Sequence, residues 1–388
     1  MNSMTKAGSP AWLGLVNERS VLSLALEQGV ITRQMAHEQT GLSKPAISQV
    51  LARLVAIGVI QQIGPVDTQR GPKATGYAVN ANLEVGVAID VSSTEIKGRF
   101  TDVAGLEYPL VRFERHYESR GEAAADVAIS DLQRIMGMAT KAAGKPEGSV
   151  KHVFLSVPGS VAPDCDELDM ASAMNPWPTR GLRTLIESEL LVKADLAQDV
   201  RAAMVAEIAA SENTEDMSLL WIGPGLALAS SSDGEIIKGY HGRAGEIGYV
   251  PNGESVSTQL QDVLGGQAVA ALVQALGFPV RTFDEALPFL PQAMNDRQFF
   301  ETIAGNIATM AISILFILDP KCLVLGGPTS IAGGTRLADR TAEIVKGRTG
   351  WGLPVYRARV PRDAPLVGAQ ICLRKTLASA LLDRIGRF

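Results

Sequence analysis

Ser43, Lys44, Ser48, Gln49 and Arg53 sit within one short segment and could contact the edges and phosphates of a nucleic acid. Hydroxyls and amides hydrogen-bond base edges, while lysine and arginine neutralise phosphates. Their spacing matters because Ile47, Val50, Leu51 and Leu54 recur at i, i+3, i+4 and i+7. That period predicts a helix with one buried stripe and the polar set on its outer face. Ser43 is a good N-cap, and Pro45 falls in the first turn, where its missing N–H is harmless. Two further cations, Arg70 and Lys73, lie in the Gly/Pro-rich stretch Asp67–Lys73.

Other elements must hold this helix in place. Asn17–Gln28 has helical spacing and is stopped by Gly29; Thr32 then caps a short helix that ends near Gly41. After the candidate reading helix, Val59–Ile63 and Gly76–Val79 read as paired strands with Asp67–Lys73 as their tip. Helix, short helix, glycine turn, helix and basic hairpin together describe a winged helix-turn-helix. A three-helix packing domain with a solvated hairpin is the alternative.

The chain of 388 residues is too long for one ordinary core, so two or three domains are expected. Charge is uneven. The first 80 residues carry seven Lys/Arg against four acids, while the whole chain has a net charge of -5. A basic head on an acidic body suits a module that meets phosphates while the remainder does something else. Cys165, Cys322 and Cys372 stand far apart, which fits reduced thiols in a cytoplasmic protein and excludes a cysteine-rich zinc site. No secretion signal and no membrane span are read from the sequence.

From Val85 the texture becomes an alternation of strands and helices with glycine-rich turns at strand ends, an α/β pattern that places ligand chemistry at those turns. VGVAIDV, EIKGRFTDV and LEYPLVRF read as successive strands. Helices follow over about 122–143, 200–210 and 299–318, with strands at VFLSV, SLLWIG, LALASS and CLVLGG.

Nearly the whole chain resembles the ROK family of repressors and sugar kinases. GLSKPAISQVLARLVAIGVI looks like the family's recognition helix, and Arg70-Gly71-Pro72 like its wing. AIDVSSTEI and IGPGLALA stand at the two phosphate loops, and SVPGSV at the proline-glycine turn near the sugar. MNPWPTRGL stands at the asparagine-tryptophan sugar segment. QDVRAAMVAEI is at the Asn-Asp motif, GRAGEIGYV at the Glu-x-Gly-His segment and DPKCLVLGG at the nucleotide-side glycine pair. The resemblance implies a two-lobed actin/hexokinase-like (ribonuclease H-like) domain after the winged helix. Its expected boundaries are 1–82 for the DNA-binding head, 83–200 for the first lobe completed by a C-terminal helix over 366–388, and 201–365 for the second lobe, which binds effector and oligomerises.

The departures from the family pattern bear on chemistry. The first loop has Ser92 and Ser93 where kinases have two glycines, which rules out a tight glycine turn, and Pro224 removes a hydroxyl and an N–H from the second loop. ATP use is therefore not expected, and no cofactor is implied. The family's zinc histidine is Tyr249, the cysteine cluster is absent, and the following sugar glutamate is Gln261, so no metal is expected. The resemblance implies effector contacts from Gly159, Asn175, Asp199, Glu246, Tyr249 and Gln261, with Asp199 at the position of the catalytic base. Asp199 also fits a helix cap, Glu246 an exposed loop residue, and Asn175 a turn before Pro176. Trp177 reads as core. The resulting expectation is a sugar-responsive regulator, acting as a repressor on double-stranded operator DNA as a homodimer or homotetramer. A sugar kinase with an appended DNA-binding head, or a ligand-independent DNA-binding scaffold, are the alternatives.

Overall fold

The computed structural model describes residues 10–67, 72–115, 123–162, 166–211, 216–253, 255–360 and 363–385. The chain opens with α1 (Pro10–Gln28), β1 (Val30–Thr32), α2 (Arg33–Thr40) and α3 (Lys44–Ala56), followed by β2 (Ile60–Val66) and β3 (Ala74–Val79). Both expected caps form. The Thr32 hydroxyl accepts from the Met35 N–H, the Ser43 hydroxyl accepts from the Ala46 N–H, and Gly41 ends α2 with a positive φ of 71°. The hairpin β2–β3 gains a third strand, β1, in the order β1-β3-β2. The three residues of β1 carry too little pattern to be read from sequence; their partners lie far along the chain.

The first lobe begins with β4 (Val85–Val91), β5 (Glu95–Asp102) and β6 (Leu110–Glu114). It continues through α4 (Ala124–Ala142), β7 (His152–Val157), the small pair β8 (Ser160–Val161) and β9 (Leu168–Asp169), α5 (Leu182–Leu190) and β10 (Lys193–Gln198). Its sheet runs β10-β7-β4-β5-β6, antiparallel through the meander β4–β6 and parallel between β4, β7 and β10.

Helix α6 (Asp199–Ala210) leads into the second lobe with β11 (Met217–Ile222), β12 (Leu226–Ser232) and β13 (Glu235–Ile236). Then come the hairpin β14 (Pro251–Asn252) and β15 (Ser255–Gln259), the helices α7 (Gln261–Leu264), α8 (Gly266–Ala275), α9 (Phe283–Ala286) and α10 (Leu290–Ala293), and the long α11 (Arg297–Leu318). The lobe closes with β16 (Cys322–Gly326), α12 (Gly327–Thr349) and β17 (Val355–Arg357). Its sheet, β13-β12-β11-β16-β17, repeats the first lobe's plan of an antiparallel meander continued by parallel strands. Among the described residues, α11 has the length and composition to cross a membrane. Here it is a core helix, with Phe299, Ile303, Ile307 and Ile314 buried within its lobe.

The last helix, α13 (Ala364–Ile385), joins the parts. Its Leu366, Ala369 and Leu373 pack with Ala88, Val103 and Phe154 of the first lobe. Its Leu377, Leu381 and Ile385 share the same buried cluster with Val21, Leu22, Ile47 and Leu51 of the head. α13 crosses α6 so closely that a Cβ on Gly368 would run into the Ala202 carbonyl. The connection near Asn80–Glu84 is braced as well. The Asn80 amide donates to the Gly58 carbonyl at 3.1 Å, and buried Glu84 lies 3.3 Å from both His152 Nε2 and Arg384 Nη1.

Candidate functional site

Two faces bring the singled-out residues together. On the head, α3 buries Ile47, Val50, Leu51 and Leu54 and exposes Ser43, Lys44, Ser48 and Gln49. Arg53 is exposed too, but its Nε lies 2.9 Å from the carboxylate of Glu18, whose side chain is 6% exposed. Burial pushes the Glu18 carboxyl up, against the pull of Arg53. Arg53 therefore anchors α3 to α1, and a phosphate contact from it would strip a buried acid of its partner. Among the described residues Lys73 pairs with exposed Asp67 at 3.4 Å, an interaction weak enough to yield to a phosphate. Arg70 and the rest of the tip, 68–71, lie outside the described residues.

The second face is a cleft of about 470 Å³ whose walls come from both lobes. Gly159, Asp199, Glu246, Tyr249 and Gln261 all line it, together with Asp90, the turn 92–94 and Gln198. Asp199 is the first residue of α6, and its Oδ1 accepts from the Val200 N–H at 2.7 Å. The N-cap itself is Gln198, which makes no side-chain capping bond, so Asp199 is not the cap; it holds one first-turn N–H and faces the cleft at once. Burial, then the nearby Asp90 carboxylate and Glu246, push the Asp199 carboxyl up to about 7. Burial likewise raises Asp90 to about 6, although Lys97 and a 3.0 Å bond from the Ser156 hydroxyl hold it back. Two carboxyls raised towards neutrality in one polar cleft mark a site that can hold or move a proton.

Glu246 is held from across the cleft. Its Oε1 accepts from the Ser160 hydroxyl at 2.5 Å and from the Gln198 amide at 2.7 Å, so a second-lobe carboxylate latches two first-lobe side chains. The other end of that amide, Gln198 Oε1, is buried with no hydrogen-bond partner among the described residues. Such an acceptor is costly unless something donates to it, and a hydroxyl-rich ligand would do so. Tyr249 stands at the rim, 39% exposed, and Gln261 donates to Gln259 Oε1 at 2.9 Å.

Residues 88–375 match the model of the ROK family. This chain belongs to that family. A xylose repressor of Bacillus subtilis is 24% identical over 238 residues, 61% of this chain and 60% of that protein. A beta-glucoside kinase of Listeria monocytogenes is 24% identical over 200 residues, 47% of this chain and 68% of that one. The chain thus spans about 60% of the length of the xylose repressor it matches. Among solved structures, a ROK family transcriptional regulator described as a homologue of the E. coli MLC protein superposes with TM-score 0.71 at 17% identity, over 96% of this chain and 98% of that one. A ROK hexokinase from Thermus thermophilus reaches TM-score 0.58 at 21% identity, over 74% of this chain and 97% of that one. The regulator shares the fold over nearly the whole chain, head included, whereas the hexokinase, almost all of it matched, covers 74% of this chain.

Several details depart from the sequence reading of a ROK protein. The turn between β4 and β5 is tight despite its serines, because neither Ser92 nor Ser93 needs a positive φ. The Ser92 hydroxyl accepts from the Glu95 N–H at 3.0 Å and the Thr94 N–H at 3.4 Å, so the loop satisfies the donors a phosphate would use. In the second loop Pro224 has no N–H, and its carbonyl accepts from the Gly266 N–H at 3.1 Å. Two backbone donors of the first loop are thus taken up within the loop, and the second loop lacks one at Pro224. Among the described residues no three His, Cys, Asp or Glu side chains gather as metal ligands, and the sequence over 249–261 holds neither histidine nor cysteine. Cys322 and Cys372 are free thiols, and Cys165 lies outside the described residues.

Asn175 is exposed and does not line the cleft, so its side chain is not placed against a ligand there; among the described residues its carbonyl is engaged, by Arg115 at 3.3 Å. Trp177 is core, donating to Asp131 at 2.9 Å. Arg115 was not legible as a site residue. Buried, it donates to the Ser92 carbonyl at 2.6 Å and the Met174 carbonyl at 3.0 Å, clamping the segment around Met174 to the first loop. Gln198 was legible only as a replaced asparagine. Gly159 has φ 150°, and a Cβ there would come within 2.8 Å of the Ala171 Cβ and 2.9 Å of the Asp169 carbonyl. Gly159→Ala is expected to cost about 1–3 kcal/mol in urea unfolding, because the added methyl overpacks a backbone contact. An unchanged midpoint would show that the strap 169–171 moves freely.

Proposed function

We propose that this protein is a cytoplasmic transcription regulator. It binds double-stranded operator DNA through the exposed face of α3 and the wing, and a sugar or sugar derivative through the interlobe cleft, without phosphorylating it. Residues 1–82 are then the DNA-reading head, 83–200 with α13 the first lobe, and 201–365 the effector and oligomerisation lobe. The observation that carries this reading is the single buried cluster in which α13 joins the reading head to the wall of a polar cleft. A ligand that prefers one lobe arrangement thereby alters how the head is presented. The xylose repressor's name and the near-complete superposition on a transcriptional regulator support it.

Reading a palindromic operator needs two heads related by symmetry. Phe316, Ile317 and Trp351 stand exposed near the ends of α11 and α12, with the Phe316 and Trp351 rings 6.2 Å apart, and offer an apolar face to a second copy. Repression relieved by sugar is the sense of regulation we assign.

The test is fluorescence anisotropy with DNA from upstream of the protein's own gene, with and without a panel of sugars. Salt-sensitive binding that one sugar weakens is expected. Lys44→Ala is expected to weaken binding to all sequences and to lower the slope against log salt by about one. Failure to bind even at low salt would sink the DNA reading, and binding indifferent to every sugar would favour a scaffold. One observation favours a kinase: Asp199, raised to about 7, is suited to accept a hydroxyl proton. Sugar-dependent ADP release above background would establish that reading instead.

A further inference from the structure

A second cavity, of about 700 Å³, lies where β10, α6 and α13 meet the Gly234–Lys238 segment of the second lobe, and it shares no lining residue with the interlobe cleft. One wall is apolar, with Phe154, Val205, Ile208 and Ile371. Four cations, Arg183, Arg201, Lys238 and Lys375, face two acids, Asp195 and Glu235. Asp195 is already engaged, accepting from the Thr376 hydroxyl at 3.2 Å.

Arg201 is the decisive group. It is 6% exposed; its Nη2 donates to the carbonyls of Lys238, Gly242 and Ala244 at 3.2, 2.7 and 3.1 Å. Its Nε is buried with no acceptor among the described residues. A buried guanidinium with an unanswered donor beside an apolar wall is an unfinished anion site. The cavity's size suits a metabolite.

We propose that this cavity is a second ligand site, for a compact organic anion whose carboxylate or phosphate meets Arg201, Lys238 and Lys375 and whose apolar part lies against Phe154, Ile208 and Ile371. The site bears on both functional faces. Arg201 fastens the loop that delivers Glu246 to the cleft, and its own helix begins at Asp199. Ile371, Cys372, Lys375 and Thr376 belong to α13, which two turns later packs on the head and pairs Asp383 with Arg19 at 3.1 Å. An anion that binds one α6–α13 arrangement better than another therefore changes both sugar affinity and operator affinity, reciprocally.

The probe is 8-anilinonaphthalene-1-sulfonate, an amphipathic anion that brightens in apolar sites, added to the full chain. One saturable site per chain is expected. Lys375→Glu and Ala209→Phe, both at exposed positions of the cavity wall, should each weaken it at least tenfold while leaving the melting temperature in place. Alkylation of Cys372, followed by peptide mass spectrometry, should slow at least fivefold at saturating probe. Equal probe binding by parent and both variants, or a Cys372 rate that ignores the probe, would overturn the site, because the dye would then be on an exposed patch such as that at Phe316. These readouts need no DNA. A further expected result, a change of at least threefold in operator affinity with the probe bound, rests on the DNA-binding reading. Operator affinity that ignores a bound probe would refute the coupling, whereas no operator binding at all would refute the functional reading and leave the site standing.

Discussion

Replacing Glu246 by alanine is expected to weaken sugar binding by about 10–100-fold, the range set by hydrogen bonds of about 1.5–3 kcal/mol to a charged acceptor. The same change removes the latch between lobes. Ser160 and Gln198 both donate to Glu246 Oε1, and Gln198 Oε1 already lacks a partner, so alanine leaves the buried amide unanswered at both ends. A stability loss of about 1–3 kcal/mol accompanies the lost affinity. Glu246→Gln keeps an acceptor of the same shape without the charge and is expected to fall between alanine and the parent. Calorimetric titration with the effector sugar separates the cases. Full sugar affinity in the alanine variant would mean that Glu246 serves only as a loop residue and that the cleft binds elsewhere.

The head was legible because its signals are local. Thr32 and Ser43 cap the helices that follow them within three residues, and the α3 stripe repeats within two turns. What escaped there is non-local: β1 exists only because β3, far along the chain, offers it an edge. The site divides the same way. Gly159, Asp199, Glu246, Tyr249 and Gln261 were found through motifs, and one cleft collects them. Motif position does not say which atom works, however. Asn175 is exposed outside the cleft, and its carbonyl is what is engaged, by an arginine 60 residues earlier. No spacing rule points to Arg115, whose meaning appears only when a strand end and a distant loop are brought together. Arg53 shows the converse: its place on the reading face was visible, but the buried Glu18 that claims it was not. Nor does the α13 sequence announce that a single helix will serve the head, a close crossing with α6 and two cavities; that depends on Gly368 meeting Ala202.

The raised carboxyls make stability depend on pH in a direction opposite to that of salt-bridged acids. Asp199 rises from 3.8 to about 7, and Asp90 from 3.8 to about 6, so between pH 4 and 7 the folded protein holds protons that the unfolded chain has released. Stability from these groups is therefore fully present below about pH 4, is lost progressively as pH rises from there through 6 and 7, and is level above that. At about 1.4 kcal/mol for each tenfold gain in proton affinity, the loss is on the order of 4 kcal/mol at Asp199 and of 3 kcal/mol at Asp90, the nearby Asp90 carboxylate being one cause of the Asp199 rise. Asp199→Asn replaces the protonated carboxyl with a neutral amide of the same size and still accepts from the Val200 N–H. The variant is expected to unfold at higher urea than the parent at pH 8 and to match it only near pH 4, where the unfolded chain also holds the proton. The slope that remains in the variant is that of Asp90, between 3.8 and about 6. Parallel pH profiles for parent and variant would show that Asp199 is ionised throughout. The expected divergence instead identifies a carboxyl kept in a costly place, as groups that meet ligands often are, where an apolar residue would have been the more stable choice.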